Sequence, residues 1–170
     1  MAEFPHGTTA EHAFAEHEHR ELTPGIDRIH DVAHVVGTIP DPDLSIALLD
    51  VLDWIDTVLE PHAAREDAWL YPEIDGRAGT PWATKLIRFE HHQILEAARK
   101  LEADREFLHH EPSHERAVEL RGHLFALEAL LRAHIEREDR FLIPLLETTA
   151  DEAAGADAAS SGAARMRGRS

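Results

Sequence analysis

Apolar residues recur at helical spacing in four stretches of this 170-residue chain. In the first, over 10–36, Leu22, Ile26, Ile29, Ala33 and Val36 step by three and four, as the inward face of an α-helix does. Thr23-Pro24-Gly25 interrupts it and predicts a kink or a restart, because proline lacks a backbone donor and collides with the carbonyl four residues back. Gly37 and Pro40 predict its end. The second stretch opens at Asp41-Pro42, with Asp41 as cap and Pro42 as first helical residue. It carries Leu48, Val51, Ile55 and Val58, is expected to bend at Pro61, and is expected to end near Pro72 to Gly76. The third starts at Gly79-Thr80-Pro81 with Thr80 as cap and carries Ile87, Ile94, Ala98, Leu101 and Leu108. The fourth, capped by Ser113, carries Leu120, Leu124, Leu127, Leu131 and Leu145.

Four amphipathic helices of about 25–35 residues with short links predict an all-α fold, an up-down-up-down four-helix bundle. The bundle is expected over 10–149, after a short extension over 1–9. Beyond Thr148 the chain turns to Ala, Gly, Ser and Asp, with Arg165, Arg167 and Arg169 at the end. That composition offers no apolar face to dock, so 150–170 is expected to be a disordered tail.

Polar residues stand on these apolar stripes. His19 shares the first, His62 and Glu66 continue the second, His91 lies in the third, and His134 and Glu138 continue the fourth. The phrase His-x-x-Arg-Glu-Asp-x-aromatic-Leu-x-Pro occurs twice, from His62 and from His134, 72 residues apart. Glu18-His19 recurs as Glu90-His91 at the same interval, and 43 residues separate His19 from His62 and His91 from His134. His and Glu four apart lie one turn apart on one helix face. Two similar hairpins related by a pseudo-two-fold axis would bring four His and two Glu to one place.

Composition narrows the chemistry. The formal charge of −16 repels nucleic acids and anionic membranes, which makes both poor partners. No cysteine is present, which excludes disulfides, thiolate catalysis and Cys-ligated metals. The first residues lack a basic and an apolar segment, and no apolar run approaches the ~20 residues needed to span a bilayer, so a cytoplasmic protein is expected. The chain has 14 His and 33 acids, so a lone His-x-x-x-Glu carries little weight; five His have an acid four residues on. The weight rests on the duplication.

Two carboxylates and four imidazoles facing a bundle core are costly unless they are satisfied. Two divalent cations would satisfy them, with two imidazoles on each and Glu66 and Glu138 bridging. Such a ligand set suits iron, manganese and zinc, and it leaves coordination positions open.

On these residues the chain resembles the hemerythrin-like (HHE cation-binding) family. The family pattern is Glu-His, His-x-x-x-Glu, Glu-His and His-x-x-x-Glu on successive helices, with a proline about six residues after each His-x-x-x-Glu. Glu18-His19, His62/Glu66/Pro72, Glu90-His91 and His134/Glu138/Pro144 match it over roughly 10–147. The resemblance implies two iron ions (Fe2+/Fe3+), oxo- or hydroxo-bridged, with His19, His62, His91 and His134 as terminal ligands and Glu66 and Glu138 as bridges. It implies a protein that binds O2, nitric oxide or peroxide in stress response or in iron or oxygen sensing. An enzyme that disproportionates peroxide or turns over nitric oxide is the alternative. Oxygen-carrying members have a second His four residues after the first in helix three, where this chain has Leu95. That departure favours nitric oxide, peroxide or iron handling, with His92, Tyr71 or water left to complete the ligand set.

Around the six residues, the duplicated Arg65/Arg137 and Asp67/Asp139 are either a solvated helix face or support for the ligands. Trp69 and Phe141, three residues after each Glu, are expected on the same face as core packing. His17 and His92 are expected to face away from the site, and His123 to be a satisfied core histidine.

Overall fold

The computed structural model describes residues 8–105 and 113–146, and throughout these the chain is helical with short links and without strands. The tail expected over 150–170, His6, His109, His110 and the side chain of His17 lie outside the described residues. Helix α1 (Thr8–Val35) runs unbroken through Pro24, so the expected restart does not occur. Gly25 is required there by packing: a Cβ would stand 1.9 Å from the ring of buried Trp54. Gly37, at φ +78°, turns the chain after the helix.

The second helical segment is one continuous rod of three α-helical pieces joined by π turns. Helix α2 (Asp41–Trp54) begins at Asp41 itself; Pro40 is the cap residue, and no side chain caps it, contrary to the expected Asp41 cap. The π turn Ile55–Leu59 leads to α3 (Glu60–Arg65), and the π turn Glu66–Leu70 leads to α4 (Tyr71–Ala78). The rod runs to Ala78, just past the expected end at Pro72 to Gly76, and stops at Gly79, φ +66°. Thr80 does not cap the next helix. Helix α5 (Lys85–Arg105) starts later, after buried Thr84, whose N–H and hydroxyl donate to the Asp75 carboxylate at 3.1 and 2.9 Å. Ser113 does cap α6 (His114–Arg137), accepting from the Arg116 N–H at 3.3 Å. A third π turn, Glu138–Leu142, and a 3-10 turn, Ile143–Leu146, follow.

The three π turns share one cause. Each ends two residues before a proline: Pro61, Pro72 and Pro144. Proline cannot donate to the carbonyl four residues back and its ring crowds that carbonyl. The residue before each proline instead donates five back, Glu60 to Ile55, Tyr71 to Glu66 and Ile143 to Glu138. The widened turn keeps the helix going past the proline.

Helix α6 packs most extensively on α1 and α5, and α2 contacts α1 and α5. The core has two apolar clusters. The larger gathers Leu22 to Val36, Leu44 to Leu59, Ile94 to Leu101 and Leu120 to Leu131; the smaller gathers Tyr71, Ile74, Ile87, Leu142 and Leu146. Each fully buried aliphatic side chain contributes about 1.5–3 kcal/mol. On α5, on α6 and along the rod, the polar stripe residues fall between the two clusters in sequence, so a polar layer divides the core. No helix among the described residues is long and apolar enough to cross a membrane.

Candidate metal centre

The polar layer holds all six residues singled out in the sequence. His19, His62, Glu66, His91, His134 and Glu138 are buried, none more than 4% exposed. Glu66 and Glu138 each open a π turn. The two carboxyl oxygens of Glu66 face opposite ways: Oε1 meets His62 Nε2 at 3.0 Å and His19 Nε2 at 3.3 Å, and Oε2 meets His91 Nε2 at 3.1 Å. Glu138 Oε2 meets His19 Nε2 at 3.1 Å and His134 Nε2 at 3.4 Å. His91 Nε2 and His134 Nε2 stand 3.1 Å apart.

Carboxylates hold every imidazole from behind. His62 Nδ1 donates to Glu18 at 3.2 Å and His134 Nδ1 to Glu90 at 3.3 Å; His91 Nδ1 donates to Asp67 at 3.3 Å and His19 Nδ1 to Asp139 at 2.7 Å. A carboxylate can only accept, so each ring carries a proton on Nδ1 and presents Nε2 inward, free to take either a second proton or an ion. Arg65 in turn donates to Glu18, Arg137 to Glu90 and Arg88 to Asp67. The duplicated Arg and Asp thus support the histidines. The part of Glu18 and Glu90 does not follow from the helical stripes; the one signal for it in the sequence is their place beside His19 and His91 in the repeat.

Trp69 and Phe141 do not pack in the core: they are 68% and 62% exposed. In an α-helix a residue three on from Glu66 shares its face, but a π turn stacks the residue five on instead. Tyr71 and Ile143, five after each Glu, are therefore the buried ones. The Tyr71 hydroxyl reaches the polar layer, 3.0 Å from His91 Nε2 and 3.5 Å from Glu66 Oε2, and donates to Glu138 Oε1. His92 is exposed, as expected. His123 is half-buried rather than core, paired with Asp104 at 2.7 Å.

Protons are shared unevenly across the layer. Burial disfavours the His19 cation, yet hydrogen bonds and charge from Glu138 and Glu66 prevail and push its pKa up to about 11. At His62 burial is likewise overcome by Glu18 and Glu66, and the pKa rises to about 9. His91 is raised against its burial by Glu66 and Asp67. His134 goes the other way, down to about 4, because burial dominates. Burial works against the Glu66 carboxylate, but His19, His62 and His91 hold it well below the ordinary range. Burial and the facing carboxylates push the Tyr71 phenol well above its usual value.

The donor atoms fit cations. Two groups have ligand atoms within 4.8 Å of one another: His19, His62 and Glu66, and Glu66, His91, His134 and Glu138. With bonds of ~2.1 Å, ligands at right angles on one ion lie about 3 Å apart, which is the spacing across this layer. His62 Nε2 and Glu138 Oε2 are buried and meet other members of the layer at 3.0–3.4 Å, but not in hydrogen-bonding directions, as atoms grouped around an ion would.

Comparison with known proteins agrees with this arrangement. The family model for the hemerythrin HHE cation binding domain matches residues 12–146. No curated protein and no solved structure gives a match. With most of its length matched and a buried His/Glu layer where the repeat places it, the chain belongs to the hemerythrin HHE cation-binding domain family.

Proposed function

We propose that this protein holds two iron ions and uses them to bind a small ligand: dioxygen, nitric oxide or peroxide. The ions sit in the two halves of the polar layer, with His19 and His62 on one and His91 and His134 on the other. Glu66 and Glu138 bridge them. The observation that carries this reading is the Glu66 carboxylate, which offers Oε1 to one pair of imidazoles and Oε2 to the other half. The packing of α6 on α1 and α5, and of α2 on α1 and α5, supports an up-down-up-down order of the four helical segments.

Bound iron supplies open coordination positions and a change of one electron per ion. The chain supplies the rest. Glu18, Asp67, Glu90 and Asp139 fix the four imidazoles with Nε2 inward, so little reorganisation accompanies metal or ligand binding. The two apolar clusters on either side of the layer keep bulk water from it.

The test is to load the protein with ferrous iron under argon and add oxygen, nitric oxide or peroxide in turn, following the optical and electron paramagnetic resonance spectra. A saturable response to at least one of the three, lost in His62→Ala, is expected. Iron-loaded protein that responds to none would overturn the ligand-binding reading. Steady-state consumption of peroxide or nitric oxide would move the assignment from binding to turnover.

A further inference from the structure

The two halves of the centre differ in one side chain. Residues 71 and 143 are 72 apart, occupy the same place after a π turn, and are both fully buried. One is tyrosine and the other isoleucine. A phenolic oxygen therefore stands in the His91/His134 half, while Ile143 offers no donor atom to the other half.

We infer that Tyr71 is a protein ligand, giving its phenolic oxygen to the ion held by His91 and His134. The inference rests on the proposed pair of ions and extends it to a seventh ligand. Tyr71 Oη lies 3.0 Å from His91 Nε2 and contacts Glu66 Oε2 and Glu138 Oε1, the oxygens of the same two bridging carboxylates. Once His91 Nε2 gives its lone pair to an ion it can no longer hydrogen-bond to the phenolic oxygen. A separation of 3.0 Å then corresponds to two neighbouring ligands on one ion, about 3 Å apart for bonds of ~2.1 Å.

The ring is held for this purpose. It is fully buried among Ile74, Ile87, Leu142 and Leu146. The Arg88 guanidinium lies 4.9 Å from its centroid and also donates to Asp67, the carboxylate behind His91. The π turn brings residue 71 over Glu66 instead of past it. Leu95, one turn after His91, supplies no donor, so the phenol oxygen adds to the ligand count from the opposite helix. Coordination as phenolate sends the phenolic proton to solvent, as metal binding by protonated ligands does. The centre is then unequal: the Tyr71 half carries an anionic oxygen that favours the ferric state, and the Ile143 half is left with the more open coordination for an incoming ligand.

The experiment is resonance Raman and visible absorption of the full chain loaded with iron in air, with iron content measured on the same sample. The chain has a single tyrosine, so any tyrosinate signal belongs to Tyr71. A visible phenolate-to-iron charge-transfer band that enhances tyrosinate ring modes is expected in the wild type. Tyr71→Phe should lose both and keep iron. Protein that binds iron without tyrosinate modes would overturn the inference and leave the diiron reading intact. Protein that binds no iron would overturn both. Should Tyr71→Phe not fold, the wild-type spectrum still decides.

Discussion

His91 and His134 point their Nε2 atoms at each other across 3.1 Å, and each has its Nδ1 proton given to a carboxylate, Asp67 or Glu90. Two inward lone pairs at that distance repel unless a proton or a cation lies between them. An ion bound to both rings relieves that repulsion. Replacing either ring removes one of two imidazoles from one half and leaves the other half whole. His134→Ala should lower bound iron to about half the wild-type amount. Elemental analysis checks this, with far-ultraviolet circular dichroism to show that the helices persist. Iron at the wild-type level would exclude His134 as a ligand.

The carboxylates behind the histidines act through them. Asp139→Asn keeps the size of the side chain but weakens the hold on His19 Nδ1, and Glu18→Gln does the same at His62. Each should weaken metal affinity about 10–100-fold. Competition with a chelator of known affinity measures this directly. If both variants hold metal as the wild type does, these contacts are only surface pairing.

Without metal, protons take the place of the ions, and this fixes a pH dependence. His19 and His62 have folded pKa values of about 11 and about 9, above the ordinary 6.5. Their contribution to stability is complete below pH 6.5 and is lost as pH rises through 9 and then 11. His134, lowered to about 4, works in the other direction and removes stability as pH falls from 6.5 toward 4. Metal-free protein should therefore be most stable near pH 6.5, and its Tm should decline on the alkaline side. Metal-loaded protein should not show that alkaline decline, because ions rather than protons neutralise the carboxylates. Thermal melts of both forms between pH ~5 and ~9 test this. A metal-free Tm that rises steadily to pH ~9 would contradict it.

Protons also compete with metal for the imidazoles. Acidification below about pH 5 should release the metal, and dialysis followed by elemental analysis reads the loss. Full retention at pH ~4 would contradict imidazole ligation.

The six buried His and Glu were legible in the sequence because each repeats at 72 residues and stands on an apolar stripe. Helical periodicity of 3.6 carried the reading as far as Glu66 and Glu138. Beyond them it failed, because the π turns before Pro72 and Pro144 shift the buried face by about two positions. Trp69 and Phe141 thereby turned outward, and Tyr71 turned inward onto His91. The prolines were visible, but the sequence alone shows a bend there as readily as a widened turn. At Pro24 the helix does not restart, since α1 continues through it.

Gly25 tests the packing that sets α1 beside the rod. A Cβ there would meet Trp54 Cε2 at 1.9 Å and Nε1 at 2.3 Å, closer than the ring can yield without moving. Gly25→Ala gains helix propensity but overpacks the core, for a net loss of about 1–3 kcal/mol. Thermal melting should show a Tm lower by about 2–4 °C per kcal/mol. An unchanged or higher Tm would mean that Trp54 gives way freely.

The central claim is that the polar layer exists to hold two metal ions. Metal content per chain, measured on wild-type protein loaded with iron in air, tests it most directly. About two irons per chain are predicted, falling to about one in His62→Ala. Well under one metal ion per chain, whether iron, manganese or zinc is offered, would contradict the account and leave a helical bundle whose buried histidines and glutamates only satisfy one another.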